Sequence, residues 1–363
     1  MGKTSRSNII MFAYILFVFI ILILYWHRKP VLMLLTMLFF AAIRYDVGWD
    51  YGSYYEFCSN ENMLEYVKEK YSIIWSSFFS LMYLMKTPHL GVVIPNILSY
   101  ILVYLAAVRI FGNNKKAVSF VLLVYVLWPD FYLTSFSTIR QHLAISVALY
   151  SGALFMSGMM LPGLALATLN YFIHPSSIIV SIILLILMLK KRLTIVHVLA
   201  MSILVLMMLF MLDDLISFIN LSQIQEYKDI YFGWTENYGS KYKYLLALVL
   251  IILFIIFFNI KSDRVLLSKI ATITILGIVI NLFIYSSGAN SVLGRVATYF
   301  TVYLTIALYP MLSELRNGII WRKVAIMFLI CLFFIQLYLV QGVVQLHSTS
   351  SYIPFRTIFE IFR

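Results

Sequence analysis

The apolar positions of this chain come in long unbroken runs, not in the alternating or half-face patterns of a soluble domain. Twelve such runs occupy 9–26, 31–43, 91–109, 117–133, 138–157, 159–174, 176–189, 194–212, 244–260, 265–285, 297–313 and 324–341. A membrane-spanning helix needs about 20 apolar residues, with roughly 17 to 25 tolerated. The runs therefore predict about twelve transmembrane helices, although 31–43, 159–174 and 176–189 are short. The stretch 71–86 (YSIIWSSFFSLMYLMK) is apolar but Ser-rich and amphipathic, which predicts a helix lying in the membrane interface. Pro175 interrupts 159–189 directly after His174, so this region reads as two spans meeting at the histidine. The expected fold is an all-α, polytopic integral membrane protein.

Composition agrees. Of 363 residues, 63% are apolar and 12% are charged, with a mean hydropathy of +0.94. A soluble domain is roughly half apolar and about a quarter charged. The difference excludes a soluble enzyme, a nucleic-acid-binding domain and a disordered chain. The net charge of +12 acquires its meaning from its position. Short connections at 27–29, 109–116, 158–162, 190–193, 261–264 and 314–323, with Lys269, hold 14 of the 27 Lys and Arg residues. Thirteen of the 15 acidic residues lie on the other side. By the positive-inside rule the basic connections are cytoplasmic. Loops 44–70 and 213–243, the tail 342–363 and both termini are then external, on a single membrane domain spanning 1–363.

The first apolar run lacks a small-residue cleavage site, so no cleavable signal peptide is expected. Cys58 and Cys331 form neither a disulfide framework nor a zinc pattern. Cys58, in the first external loop, is expected to be open to an impermeant thiol reagent.

Ionisable residues at membrane depth or at a helix mouth are expensive, and so carry the functional signal. Away from the basic connections these are Arg44, Asp46, Asp50, Asp130, Arg140, His142, His174 and Arg295, all at outer helix ends in this topology. The segment 44–54 (RYDVGWDYGSY) offers one cation, two carboxylates and several rings. Asp46 and Asp50 would share a face on a helix, but Gly48 favours an irregular turn. Trp49, Tyr51 and Tyr54 are candidates for stacking on sugars, with Gln141 and Tyr299 as further sugar ligands. Arg44, Arg140 and Arg295 form a candidate clamp for a diphosphate, because arginine binds phosphate oxygens bidentately and keeps its charge. His174, freed from helix geometry by Pro175, is a candidate general base alongside Asp50 and Asp46. No metal site, P-loop or other cofactor motif is expected.

Such a cavity suits glycosyl transfer from a polyprenyl-diphosphate donor. The run at 44–54, together with TIRQHLAI at 138–145, FIHPSS at 172–177 and YIPFR at 352–356, resembles the EpsG-like branch of the Wzy-type polysaccharide polymerases. The resemblance implies a fold similar to membrane (GT-C-like) glycosyltransferases and a place in the bacterial inner membrane, with the active site facing outward. It also implies that undecaprenyl-diphosphate-linked oligosaccharide units are joined into O-antigen (lipopolysaccharide), capsule or exopolysaccharide. The family pattern falls on Arg44, Asp50, Arg140, His174 and Arg295. A flippase and a chain-length regulator of the same pathway are the expected protein partners. The competing readings are a lipid-linked sugar ligase, an acyltransferase of the same cavity type, or a transporter of lipid-linked oligosaccharide. A transporter predicts internal repeats and mid-membrane charges, and the chain displays neither.

Overall fold

The structure, a computed structural model, describes residues 3–189, 265–287 and 291–347, with positions 203, 207, 355, 357 and 358. In lipid every backbone polar group must be satisfied internally, which leaves helices or closed barrels. The described residues take the helical solution, with fourteen α-helices and one isolated bridge between Arg44 and Thr357. Within the expected membrane domain the chain packs as two compact units, Met1–Ser181 with Leu315–Arg363, and Ile182–Glu314.

The first unit is built around α7 (Lys115–Leu127), which is buried on all sides from Ala117 onward. A helix that is apolar all round belongs at the centre of its bundle. It packs against α1 (Lys3–Trp26), α2 (Pro30–Ile43), α6 (Pro88–Phe111) and the final helix, α14 (Gly318–His347). The outer faces of this ring expose large apolar side chains, among them Phe12, Phe19, Leu35, Phe39, Ile319 and Met327. Apolar exposure on this scale is what contact with lipid requires. Two helices, Pro88–Phe111 and Gly318–Leu337, are individually long and apolar enough to cross a membrane. Six shorter described helices are equally apolar.

One of the expected spans is not a single helix. The run 297–313 is not one helix but two, α12 (Ser291–Thr301) and α13 (Leu304–Glu314). The Thr305 hydroxyl donates to the Val302 carbonyl at 2.7 Å, and the Ile306 N–H turns instead to Tyr303. The helical ladder is therefore broken at 302–303. In the same unit, α11 (Val265–Ser287) meets α12 at Gly277, where a Cβ would lie 2.6 Å from the Thr301 backbone nitrogen. Only glycine lets the two backbones approach so closely. Apart from positions 203 and 207, the runs 194–212 and 244–260, and the loop 213–243, lie outside the described residues.

The segment 44–70, expected to be external, has more structure than its polar pattern indicated. It holds two short helices, α3 (Tyr51–Phe57) and α4 (Glu61–Lys70). The Asn60 side chain accepts from the Asn62 N–H at the start of α4, with Glu61 in the first turn and Lys68 and Lys70 in the last. This is the capping and charge order that a short exposed helix needs. The stretch expected to lie in the interface is helical over Ile73–Leu84 (α5). Then α8 (Ile139–Met156), α9 (Met160–Ile173) and α10 (Ser177–Leu189) succeed one another, with the break at His174 where Pro175 demands it.

Four rings join distant parts of the first unit in one stack. Phe17 lies 5.1 Å from Tyr132 and 4.4 Å from Phe40, and Phe40 lies 4.1 Å from Phe355, all nearly parallel. Phe355 thus returns from late in the sequence to pack between α1 and α2. Offset stacking of this kind contributes roughly 0.5–1.5 kcal/mol per pair beyond the area it buries.

Cys58 is not the open thiol that its loop position implied. It is 1% exposed, packed against Gly91, and burial pushes its thiol up to about 12. At pH 8 the nucleophilic thiolate is then almost absent. With Cys331 replaced by serine, a maleimide at pH 8 should leave Cys58 unmodified in the folded protein and label it stoichiometrically in denaturant. Rapid labelling of the folded protein would mean that α3 and α6 do not pack as described.

Candidate functional site

One end of the first unit is organised by the turn after α2. Arg44 leaves the helix with an extended backbone and bridges Thr357. Its side chain is completely enclosed, with the guanidinium carbon 4.2 Å from the centre of the Phe136 ring. With the Asn96 amide turned to suit its neighbours, its oxygen accepts from Arg44 Nη2 at 2.5 Å and its nitrogen donates to the Ser135 carbonyl at 3.1 Å. Arg44 therefore serves as a framework cation and is closed to a ligand, which removes it from the expected three-arginine clamp.

Beyond Arg44 the chain turns sharply, with Asp46 at φ +51° and Gly48 at φ +98°. A Cβ on Gly48 would sit 2.2 Å from the Phe136 carbonyl oxygen, so both the conformation and the approach require glycine. The Trp49 N–H donates to Ser137 Oγ at 3.0 Å, fastening the turn onto the segment that leads into α8. Asp46 and Asp50 accordingly lie on an irregular turn and share no helix face.

Tyr51 and Tyr54, expected as sugar platforms, are buried, whereas Trp49 is 44% exposed. The Tyr51 hydroxyl contacts His89 Nδ1 at 2.8 Å, and His89 Nε2 contacts the Ala42 carbonyl at 2.8 Å. A carbonyl only accepts, so Nε2 carries the proton and Nδ1 of the neutral ring accepts from the phenol. The Asp46 backbone N–H also reaches that hydroxyl. His89 escaped the sequence reading because a histidine at the start of an apolar run gives no sign of a loop partner. The half-buried Tyr45 and Tyr55, with exposed Trp49, form the accessible aromatic face of the loop.

Tyr54 does a different job. Its hydroxyl accepts from Arg140 Nε at 2.9 Å, and the Arg140 guanidinium lies 3.8 Å above the Tyr71 ring. Two contacts thus fix both the position and the plane of the guanidinium. Burial raises the Tyr54 phenol well above its ordinary value, with Arg140 opposing and Asp50 reinforcing the shift. Tyr54 is therefore neutral at physiological pH, and Asp50 and Arg140 both lie within its electrostatic reach. Tyr71 was missed because its pairing with Arg140 is visible only in three dimensions.

Helices α8 and α9 bring His174 to the same end of the unit. Ser151 Oγ donates to the Gly163 carbonyl at 2.7 Å, and Asn170 Nδ2 donates to the Ala144 carbonyl at 2.9 Å. These bonds set an antiparallel register. One further turn along each helix lie Arg140 and His174, at one level. The link is reinforced beside Tyr71, where Ser72 Oγ donates to the Phe172 carbonyl at 2.5 Å and Trp75 Nε1 to the Ile173 carbonyl at 2.8 Å. His174 itself is half-buried and extended (φ −154°, ψ 119°), with Nδ1 2.7 Å from Ser176 Oγ.

The other candidates divide. His142 is buried, with Nε2 3.0 Å from the Asp130 carbonyl and Nδ1 2.6 Å from Thr138 Oγ1, a satisfied core histidine. Gln141 is buried beside it in sequence. Arg295 and Tyr299 belong to α12 in the second unit, where Tyr299 is buried and the Arg295 side chain lies outside the described residues. Among the described residues no group of three or more His, Cys, Asp or Glu could hold a metal ion.

The apolar helices, two of them long enough to cross a membrane, make this a helical membrane protein, with Arg140, His174 and the aromatic loop at one end of its first unit. The chain belongs to the EpsG family, whose model matches residues 30–357, a family associated with Wzy-type polymerases and with glycosyl transfer in polysaccharide biosynthesis. No curated protein and no solved structure matches it.

The holding of Arg140 can be tested directly. Tyr54→Phe keeps the ring but removes the acceptor, a charge-assisted bond of roughly 1.5–3 kcal/mol. Tyr71→Leu removes a cation–π contact of about 0.5–2 kcal/mol. Both should lower the thermal midpoint in detergent, and because they hold one group the double variant should lose less than the sum. Strict additivity would show that the two rings do not hold Arg140 jointly.

Proposed function

We propose that this protein is the polymerase that joins undecaprenyl-diphosphate-linked oligosaccharide units into a surface polysaccharide. The reaction takes place at the outer face of the bacterial inner membrane. The observation that carries the reading is the α8–α9 register, which sets Arg140 level with His174 beneath the loop that bears Asp50. The distribution of basic residues supports the orientation, since Arg28, Lys115, Lys116 and Arg322 lie at the opposite helix ends.

In this reading Arg140 binds the donor diphosphate, with Arg295 as a second ligand assigned from its motif alone. The acceptor sugar of the incoming unit lies along the exposed face of Trp49, Tyr45 and Tyr55. His174 takes the proton of the acceptor hydroxyl, and the oxygen attacks the anomeric carbon of the donor. The bond from that carbon to the diphosphate oxygen breaks, and undecaprenyl diphosphate departs carrying the electron pair. The fixed positive charge of Arg140 stabilises that leaving group. In the tautomer whose Nδ1–H donates to Ser176 Oγ, Nε2 is the basic nitrogen. Asp50 is the alternative base, because it shares the surroundings of Tyr54 with Arg140.

Loss of the gene should leave single capped units on the cell surface in place of a polymer ladder. Units trapped on the cytoplasmic side would instead identify a flippase. Arg140→Lys retains the charge but loses the planar fork, and should reduce polymer by about 10²-fold or more at unchanged protein abundance. His174→Ala should abolish extension, while His174→Gln separates basicity from hydrogen bonding. Near-normal polymer from the Gln variant would transfer the base to Asp50, and near-normal polymer from the Ala variant would remove His174 from the site.

A further inference from the structure

The end of the first unit opposite the candidate site contains a cavity of about 280 Å³, between the turn after α1, the start of α2, the end of α6 and the start of α7. Its rim carries Arg28, Lys29 and Lys115, all exposed, and no acidic side chain lines it. Among the described residues no ion pair or side-chain hydrogen bond engages these three cations. Lys116 stands just behind them, within electrostatic reach of Arg28 and Arg322. Like charges gathered without carboxylates repel one another, so the arrangement is relieved by an anion.

The cavity also has an apolar side. Leu32, Val108 and Tyr104 line it toward the middle of the bundle, and Leu32 is 47% exposed on the outer surface. A site for a freely diffusing anion has no need of a wall that continues onto a lipid-facing surface. We infer that this cavity binds the phosphate headgroup of an anionic phospholipid, its acyl chains running along α2 and α6. In the orientation proposed above this is the cytoplasmic leaflet, but the binding itself does not depend on that orientation or on polymerase activity. Basic pockets between transmembrane helices are a recurrent way of holding such headgroups.

The experiment uses the purified full chain, delipidated in detergent and mixed with equal amounts of phosphatidylglycerol and phosphatidylcholine. Native mass spectrometry then counts the bound lipids. The wild type should retain phosphatidylglycerol preferentially, and Arg28→Gln, Lys29→Gln and Lys115→Gln should each weaken retention by about fivefold per charge. A control with Lys68→Gln, Lys70→Gln and Lys86→Gln, all distant from the cavity, should match the wild type. Val108→Trp fills the cavity with every charge in place and should also reduce retention, so a poorly folded charge variant does not end the test. Unchanged phosphatidylglycerol in both the charge variants and Val108→Trp would overturn the inference. An equal loss in the distant control would reduce it to non-specific charge. Displacement of the lipid by inorganic phosphate would replace the lipid with a soluble anion.

Discussion

An arginine that cannot lose its proton and cannot reach water constrains everything around it, and Arg44 is such a residue. A buried cation is tolerated only where its surroundings replace its hydration. Here they are the Phe136 ring face and the Asn96 amide oxygen, contributed by the segment before α8 and by α6. The Asn96 amide is in turn held by the Ser135 carbonyl, and Ser135 Oγ donates to the Tyr132 carbonyl at 2.6 Å. With its one proton spent there, Ser135 accepts from the Tyr100 hydroxyl at 2.6 Å. Enclosing one charge thus fixes the end of α2, the middle of α6 and the segment 131–137 together. That segment is what presents Ser137 to Trp49 and leads into the helix bearing Arg140.

The same economy explains why the segment 44–70 folds at all. A two-helix excursion of this length has little core of its own. Its stability comes from a cluster in which Tyr51, Tyr54, Phe57, Leu64 and Val67 pack with Trp75, Phe79 and Val92. Three polar ties then set its register, namely Trp49 to Ser137, Tyr51 to His89 and Tyr54 to Arg140. Each tie ends on a residue next to, or part of, the candidate site. A change in how the loop packs would therefore move Arg140 and Asp50, while a change in the exposed rings Trp49 and Tyr66 would leave them in place.

Much of the helical plan was readable from apolar runs, because a run of given length in lipid has one good solution. The break at His174 was readable too, since Pro175 disfavours a helical backbone at the preceding residue. What sequence could not give was the direction in which a polar side chain points. Arg44, Arg140 and Arg295 look alike as cations at helix ends. One is enclosed on an aromatic ring, and one is held half-buried between two tyrosines. Tyr51 and Tyr54 look like Trp49 in composition but are spent on His89 and Arg140. The helix break at 302–303 was hidden for a related reason, because a threonine hydroxyl competing for a carbonyl leaves no gap in an apolar run.

The placement of charge also distinguishes the two ends of the first unit. At the loop-covered end each functional group is restrained, with Arg140 fixed by two rings, His174 by a proline break and Ser176, and Asp50 by the turn at Gly48. In the proposed reaction such restraint would favour chemistry, because a leaving group gains most from a positive charge that does not have to reorganise. At the other end Arg28, Lys29 and Lys115 are exposed on long side chains around a cavity. Mobile cations lose conformational entropy when they grip a ligand, which suits reversible attachment to an abundant lipid better than selection of a rare substrate. The difference between the two ends lies in the second layer of contacts. Tyrosines hold the arginine at the loop-covered end, and no side chain among the described residues holds the cations at the other.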